Sequence, residues 1–269
     1  MTSYGERLAA VTAARGRLCV GIDPHRSVIE AWGLEYGLAG LEAVARGMVE
    51  ALGDLVAVFK PQSAFFEAHG SAGVAVLERT IAAAQATGAL VIVDAKRGDI
   101  GSTMAAYADA YLSDGSPLAG DAVTVSPYLG FGSLQPALDM AHATGRGLYV
   151  LARTSNPEGG DVQSAVRADG RSVAQGMVDA AFAANAASGQ GAVGLVIGAT
   201  HTDAGCDVSA FNGSILAPGI GAQGGSIEGL AGIFGAATGH VLPSASREVL
   251  LRGPDPDELR QAVTRLQLS

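Results

Sequence analysis

Eight short apolar runs, rich in β-branched residues, recur along this 269-residue chain, and segments of helical period lie between them. The runs are Leu18–Ile22, Val56–Phe59, Leu90–Val93, Ala122–Val125, Gly147–Leu151, Val193–Ile197, Ser214–Ala217 and Val241–Pro243. Their hydrophobicity is continuous rather than alternating, which suits parallel strands covered on both faces. Helical stretches are predicted at Leu41–Leu52, Gly73–Thr87, Ser102–Leu112, Gly132–Thr144, Val173–Ala187 and Pro256–Leu266. Strand alternating with helix predicts a parallel sheet, and eight strands predict closure into a (β/α)₈ barrel, an α/β fold. A doubly wound open sheet has a similar sequence signature and is the alternative. The count depends most on the last two strands, which are short and flanked by glycine. No linker or shift of composition divides the chain, so one domain over residues 1–269 is expected. The stretch Ser155–Arg171, rich in Asn, Pro, Gly and Asp, reads as a long loop after the fifth strand. Such a loop would lie on the catalytic face of a barrel.

Charge narrows the partners. The net charge is −9, and no run of Lys or Arg offers a basic face, so a small molecule is expected as partner rather than a nucleic acid. Met1–Ala10 carries charge without an apolar core, unlike a signal peptide. The longest uncharged stretch, Ala180–Thr202, is broken by Asn185, Ser188, Gly189 and Gln190, which suits helix, turn and strand better than a membrane span. A soluble, cytoplasmic protein with no membrane contact is expected. Cys19 and Cys206 show no metal-ligand spacing; two reduced thiols are expected, with a lone disulfide as the alternative.

Of the 17 basic residues, 15 are arginine and only Lys60 and Lys96 are lysine. In a chain so biased towards arginine, a retained lysine points to a need for an ammonium that can give up a proton, which guanidinium does not meet. Both follow apolar runs, Val56-Ala57-Val58-Phe59-Lys60 and Val91-Ile92-Val93-Asp94-Ala95-Lys96. That puts them at the C-terminal ends of predicted strands two and three, where barrel enzymes carry their chemistry. On an extended chain Asp94 and Lys96, two apart, point to the same side. Asp99 follows where the chain turns into a helix. A purely structural ion pair is the alternative, but alternating charges gathered in one cleft are a common means of tuning pKa values.

A phosphate site is suggested by two loops. Pro218-Gly219-Ile220-Gly221-Ala222-Gln223-Gly224-Gly225 follows predicted strand seven, and Ser244-Ala245-Ser246-Arg247 follows predicted strand eight. Barrels often hold phosphate on these two loops, and Arg247 would add a bidentate cation. The five histidines are scattered without metal spacing. Nucleophile-elbow, P-loop and dinucleotide fingerprints are absent, so no metal or nucleotide cofactor is expected.

Taken together, these motifs resemble the longer bacterial branch of the orotidine 5′-phosphate decarboxylase family over nearly the whole chain. The resemblance is carried by Gly21-Ile22-Asp23-Pro24, Phe59-Lys60-Pro61-Gln62, Asp94-Ala95-Lys96-Arg97-Gly98-Asp99-Ile100, Thr154-Ser155-Asn156-Pro157, the Ala217–Gly225 run and Ser246-Arg247. It implies a barrel homodimer that converts orotidine 5′-monophosphate to uridine 5′-monophosphate and CO₂, the last step of UMP synthesis, without metal or cofactor. It also implies that Lys60, Asp94, Lys96 and Asp99 form the catalytic array, with Asp99 reaching into the neighbouring subunit's site and Thr103 near the ribose. Asp23 would bond ribose hydroxyls, Ser155 would read the pyrimidine edge, Pro218 would lie beside the base, and Gln223 with Arg247 would grip the phosphate. Shorter relatives often have glycine where Ser246 stands.

Two rival readings share parts of this pattern. A magnesium-dependent sugar-phosphate decarboxylase or aldolase with the same D-x-K-x-x-D core would carry a metal-binding Glu where this chain has Lys60, which would repel the ion. A barrel that binds phosphate ligands without catalysis would tolerate a broken charge array, and here the array is intact.

Overall fold

Inside a closed barrel, alternate residues of each strand face the lumen and the others face the helices, so the lumen and the outer layer form two separate cores. In the computed structural model, which describes residues 2–268, the chain makes this arrangement. Met1, at the start of the N-terminal stretch read above, and Ser269, at the end of the expected domain, lie outside the described residues.

The strands are β1 (Cys19–Ile22), β2 (Val58–Pro61), β3 (Leu90–Arg97), β4 (Ala122–Val125), β5 (Gly147–Arg153), β6 (Val193–Ile197), β7 (Ile215–Ile220) and β8 (Val241–Ala245). Each pairs in parallel with the next, and β8 returns to β1 through Cys19–Ser244 and Val20–Ala245, closing the barrel. The expected barrel is therefore present, and the open-sheet alternative is not.

Lumen-facing Cys19, Val58, Leu90, Ile92, Ala122, Tyr149, Val196, Leu216 and Leu242 pack into one core. The intervening Val20, Phe59, Val91, Val93, Val123, Val125, Leu148 and Val150 pack outward against the helices. Following the same parity upward, the lumen positions turn polar: Lys60 after Val58, Asp94 and Lys96 after Ile92, Thr124 after Ala122, Ser244 after Leu242. The fold thus aims these groups into the mouth at the C-terminal ends of the strands.

The strands run further than the hydrophobic signal. β3 continues through Asp94–Arg97, β2 includes Lys60 and Pro61, and β7 includes Pro218, Gly219 and Ile220, so the glycine-rich loop begins later than expected. The physical reason is that the upper strand positions face the site and are polar, although the backbone still pairs. The predicted helices form at Leu38–Leu52, Gly70–Ala86, Gly101–Leu112, Gln135–Thr144, Val173–Ser188 and Pro256–Leu268. A 3₁₀ turn at Phe131–Leu134 takes the start of the one expected from Gly132. The Ser155–Arg171 stretch is not wholly irregular. Pro157 presets φ for a 3₁₀ turn at Pro157–Gly159, and a one-turn helix, Gly160–Gln163, follows.

A helix at Tyr4–Arg15, unmarked by any strong period, plugs the opposite end of the lumen. Ser3 caps it: Glu6 N–H donates to Ser3 Oγ (3.3 Å) and Ser3 N–H donates to Glu6 Oε2 (2.8 Å). Tyr4 meets the lumen residue Tyr149 edge to face, with their hydroxyls 3.0 Å apart. Cys19 and Cys206 are both free thiols, and Cys19 lies within the lumen core. Among the described residues, no helix is long and apolar enough to cross a membrane.

Candidate active site

Lys60 and Asp94, on neighbouring strands, are only 6% and 7% exposed. A buried carboxylate needs every lone pair engaged, and Asp94 meets that need with four donors. Lys60 Nζ (3.0 Å) and Gln62 Nε2 (2.9 Å) donate to its Oδ2, while Lys96 Nζ (2.6 Å) and Thr124 Oγ1 (2.9 Å) donate to Oδ1. Burial alone would raise the Asp94 pKa, but the two ammonium groups reverse this and hold it far below the usual carboxylate range. Burial likewise pulls the Lys60 pKa down, and Asp94 and Asp23 together push it above the ordinary lysine value. Both groups are therefore charged throughout the neutral range.

Lys96 is the one non-glycine residue with positive φ (49°) among the described residues. Such a backbone costs an L-residue roughly 1–2 kcal/mol. It occurs where the β3–β4 register shifts between Val93 and Arg97. The expectation that Asp94 and Lys96 share a side holds, although through this kink and not through plain extension. Arg97, next along, turns away from the lumen, pairs with Glu67 and bonds the Tyr111 hydroxyl at 3.2 Å. Its guanidinium lies 5.7 Å from the centres of the Tyr107 and Tyr111 rings, so it belongs to the outer wall.

Above the charged cluster opens a cleft of about 640 Å³. This is within the common size range of small-ligand sites. Lys60, Asp94 and Lys96 form its floor, and Asp23, Ser155, Pro218, Gln223 and Arg247 line its walls, so these expected site residues are brought together. Ser155 Oγ–H donates to Gln223 Oε1 at 3.3 Å, joining the loop after β5 to the loop after β7. Gly219 and Gly221 have φ of 107° and 77°, which let that loop fold back on itself through Gly225 N–H to Gly219 O at 3.0 Å. Val162 and Gln163, from the expected long loop, line the same cleft.

Two buried polar atoms at the wall, Asp23 Oδ1 and Ser246 Oγ, have no hydrogen-bond partner within the described residues. Gly21 makes room for both side chains: a Cβ there would lie 2.8 Å from Ser246 Cβ and 3.3 Å from Asp23 Oδ2. Unpaired buried groups facing a cleft are fit to hold the hydroxyls of a ligand.

Asp99 and Thr103 do not line this cleft. Asp99 is half-buried beyond the end of β3, where its Oδ1 accepts from Ile100 N–H at 2.8 Å, and Thr103 is exposed on the following helix. Beside them the surface is apolar, with Ile100 61%, Tyr128 78% and Leu129 52% exposed. Gln62 and Thr124 were given no role by the sequence. Gln62 lies within the Phe59–Gln62 motif, and Thr124 is the one polar residue of the Ala122–Val125 run; that break in hydrophobicity is the signal that marks it. Among the described residues no three His, Cys, Asp or Glu side chains converge as metal ligands. The chemistry of the donor set also opposes a cation, since the Asp94 oxygens are already committed to two ammonium groups.

The family model described as Orotidine 5′-phosphate decarboxylase / HUMPS family matches residues 16–262. The orotidine 5′-phosphate decarboxylase of Streptomyces coelicolor is 56% identical over 266 residues, 98% of this chain and 96% of its own length. That of Salinispora arenicola is 58% identical over 267 residues, 99% of this chain and 96% of its own. A crystal structure from Streptomyces avermitilis is 57% identical and superposes with a TM-score of 0.95, over 100% of this chain and 94% of the other. The OMP decarboxylase structure from Leishmania donovani is 29% identical, with a TM-score of 0.78 and full coverage of both chains.

Proposed function

The chain belongs to the orotidine 5′-phosphate decarboxylase / HUMPS family, and on that footing we propose that it converts orotidine 5′-monophosphate to uridine 5′-monophosphate and CO₂. The observation that carries this reading is Asp94 held between Lys60 and Lys96 at the barrel mouth.

Loss of CO₂ from C6 leaves an electron pair in the ring plane that no adjacent carbonyl can delocalise as an ordinary enolate. A fixed positive charge at C6 is the available stabiliser, and an ammonium there can also return a proton. Lys96 suits both tasks, because its side chain is nearly half exposed towards the cleft while its Nζ is tied to Asp94 at 2.6 Å. The substrate carboxylate would lie against Asp94. Two like charges ~4 Å apart repel by about 4 kcal/mol at an effective dielectric of ~20. Lys60 offsets part of that repulsion and keeps Asp94 ionised. Asp23 takes ribose hydroxyls, Ser155 reads the pyrimidine edge, Pro218 packs beside the base, and Gln223 and Arg247 hold the phosphate. Phosphate binding, remote from C6, can then draw the loop after β7 closed and order the site.

The protein works as one domain in the cytoplasm, as a homodimer, and Asp99 with Thr103 enters the partner's cleft. The exposed Ile100, Tyr128 and Leu129 support this arrangement, for they form an apolar rim beside Asp99 that a second copy would cover. Gly98 backs onto Ser126 O, so the two rim segments leave the barrel side by side.

The test is direct. The chain incubated with orotidine 5′-monophosphate should release CO₂ and uridine 5′-monophosphate in equal amounts. Lys96→Ala should lower that rate by at least about 10³-fold while still binding the nucleotide. Absence of product from the unaltered chain would overturn the reading, and full turnover by the variant would remove Lys96 from its role.

A further inference from the structure

We propose that Thr124 is a positioning residue, whose hydroxyl sets the backbone of Lys96 and the carboxylate of Asp94 in one fixed relation. The inference rests on the decarboxylase reading above, in which those two groups act on the substrate.

Thr124 lies on the lumen side of β4 and is 1% exposed, so water does not compete for its hydroxyl. Lys96 N–H donates to Thr124 Oγ1 at 3.0 Å, which commits that oxygen as an acceptor. The single hydroxyl hydrogen is then directed to Asp94 Oδ1, 2.9 Å away. Lys96 Nζ reaches the same Oδ1 at 2.6 Å. Backbone and side chain of one lysine thus close a ring through Thr124 and Asp94, and each bond fixes the direction of the next.

The kink in β3 explains why this bond is needed. Between Val93 and Arg97 the register with β4 shifts, and Lys96 takes its left-handed backbone there. The Lys96 N–H, left out of the regular ladder there, takes another acceptor. Thr124 supplies it from the facing strand. Without the hydroxyl, the N–H and one Asp94 lone pair would both lose a partner, and the kink would be tied to the β4 side through the neighbouring Arg97, whose carbonyl accepts from Ser126 N–H at 2.8 Å, and not through Lys96 itself. Lys60 and Gln62 hold only the other oxygen, Oδ2, so they cannot substitute.

Thr124→Val keeps shape and removes the hydroxyl, while Thr124→Ser keeps the hydroxyl and removes the methyl. With Lys96 displaced by about 1 Å, kcat of Thr124→Val should fall about 10²-fold, with KM changed little. Thr124→Ser should recover most of that loss. A Thr124→Val enzyme with unchanged kcat, or equal losses in Val and Ser, would overturn the proposal. Should Thr124→Val fail to fold by circular dichroism, Thr124→Ala is judged against Thr124→Ser by the same criterion. A crystal structure of the ligand-free Val variant gives a second readout that needs no activity. It should show Lys96 out of positive φ or its Nζ withdrawn from Asp94; unaltered geometry would overturn the proposal. If the unaltered chain does not decarboxylate the nucleotide, the functional reading fails, and the crystal structure alone decides the role of Thr124.

Discussion

Asp94 and Lys60 carry opposite charges where little water reaches them, and the consequences can be followed through pH. The folded-state pKa of Asp94 is depressed below the unfolded value near 3.9, so its contribution to stability is complete above about pH 4 and is lost as the pH falls from there. The Lys60 pKa is raised, so its contribution is complete below about pH 10.4 and is lost only as the pH rises beyond that. Across the neutral range the pair contributes a constant amount. Urea unfolding of Asp94→Asn should therefore show a shallower loss of stability between pH 4 and pH 2 than the unaltered chain. Equal slopes in the two proteins would contradict the depressed Asp94 pKa. These charges were legible in sequence because lysine is so rare here. The kink at Lys96 was not, since a left-handed lysine is set by the facing hydroxyl of Thr124, 28 positions along the chain, and not by its neighbours.

At the scale of elements, each strand changes character along its length, apolar below and polar at the mouth. The lower half was therefore easy to read and the upper half was not. β3 and β7 end several residues beyond their apolar runs because Asp94, Lys96 and Pro218 face the cleft while the backbones of Asp94, Arg97 and Pro218 still pair. The helix Tyr4–Arg15 gave little signal because Tyr4 and Leu8 are its only buried residues. Yet Tyr4 closes the base of the lumen against Tyr149 and the backbone of Gly147, where any Cβ would press into its ring at 2.6 Å. Truncating such a side chain costs about 3–5 kcal/mol. Tyr4→Ala should lose about that much in urea unfolding while kcat/KM at low temperature stays near the unaltered value. A fall in kcat/KM as large as that of a site variant would contradict the separation of a stabilising base from a catalytic mouth.

At the scale of the molecule, one chain supplies most of the proposed site but not all of it. Asp99 and Thr103 stand outside the cleft of their own chain, beside the apolar rim of Ile100, Tyr128 and Leu129. The family resemblance assigned these two residues to a neighbour's site; no pattern within a single chain could do so. Mixing inactive Lys96→Ala and Asp99→Ala proteins tests this. In a randomly reassorted dimer each hybrid regains one intact site, so activity should rise to about a quarter of the unaltered level. No recovery after subunit exchange would place Asp99 in its own chain's site.

The central claim, decarboxylation driven by a lysine–aspartate array with no metal, is tested most directly by following the absorbance loss of orotidine 5′-monophosphate with and without excess EDTA. The account predicts steady turnover at the same rate in both, ending in uridine 5′-monophosphate. No absorbance change, or a rate abolished by the chelator and restored by Mg²⁺, would contradict it.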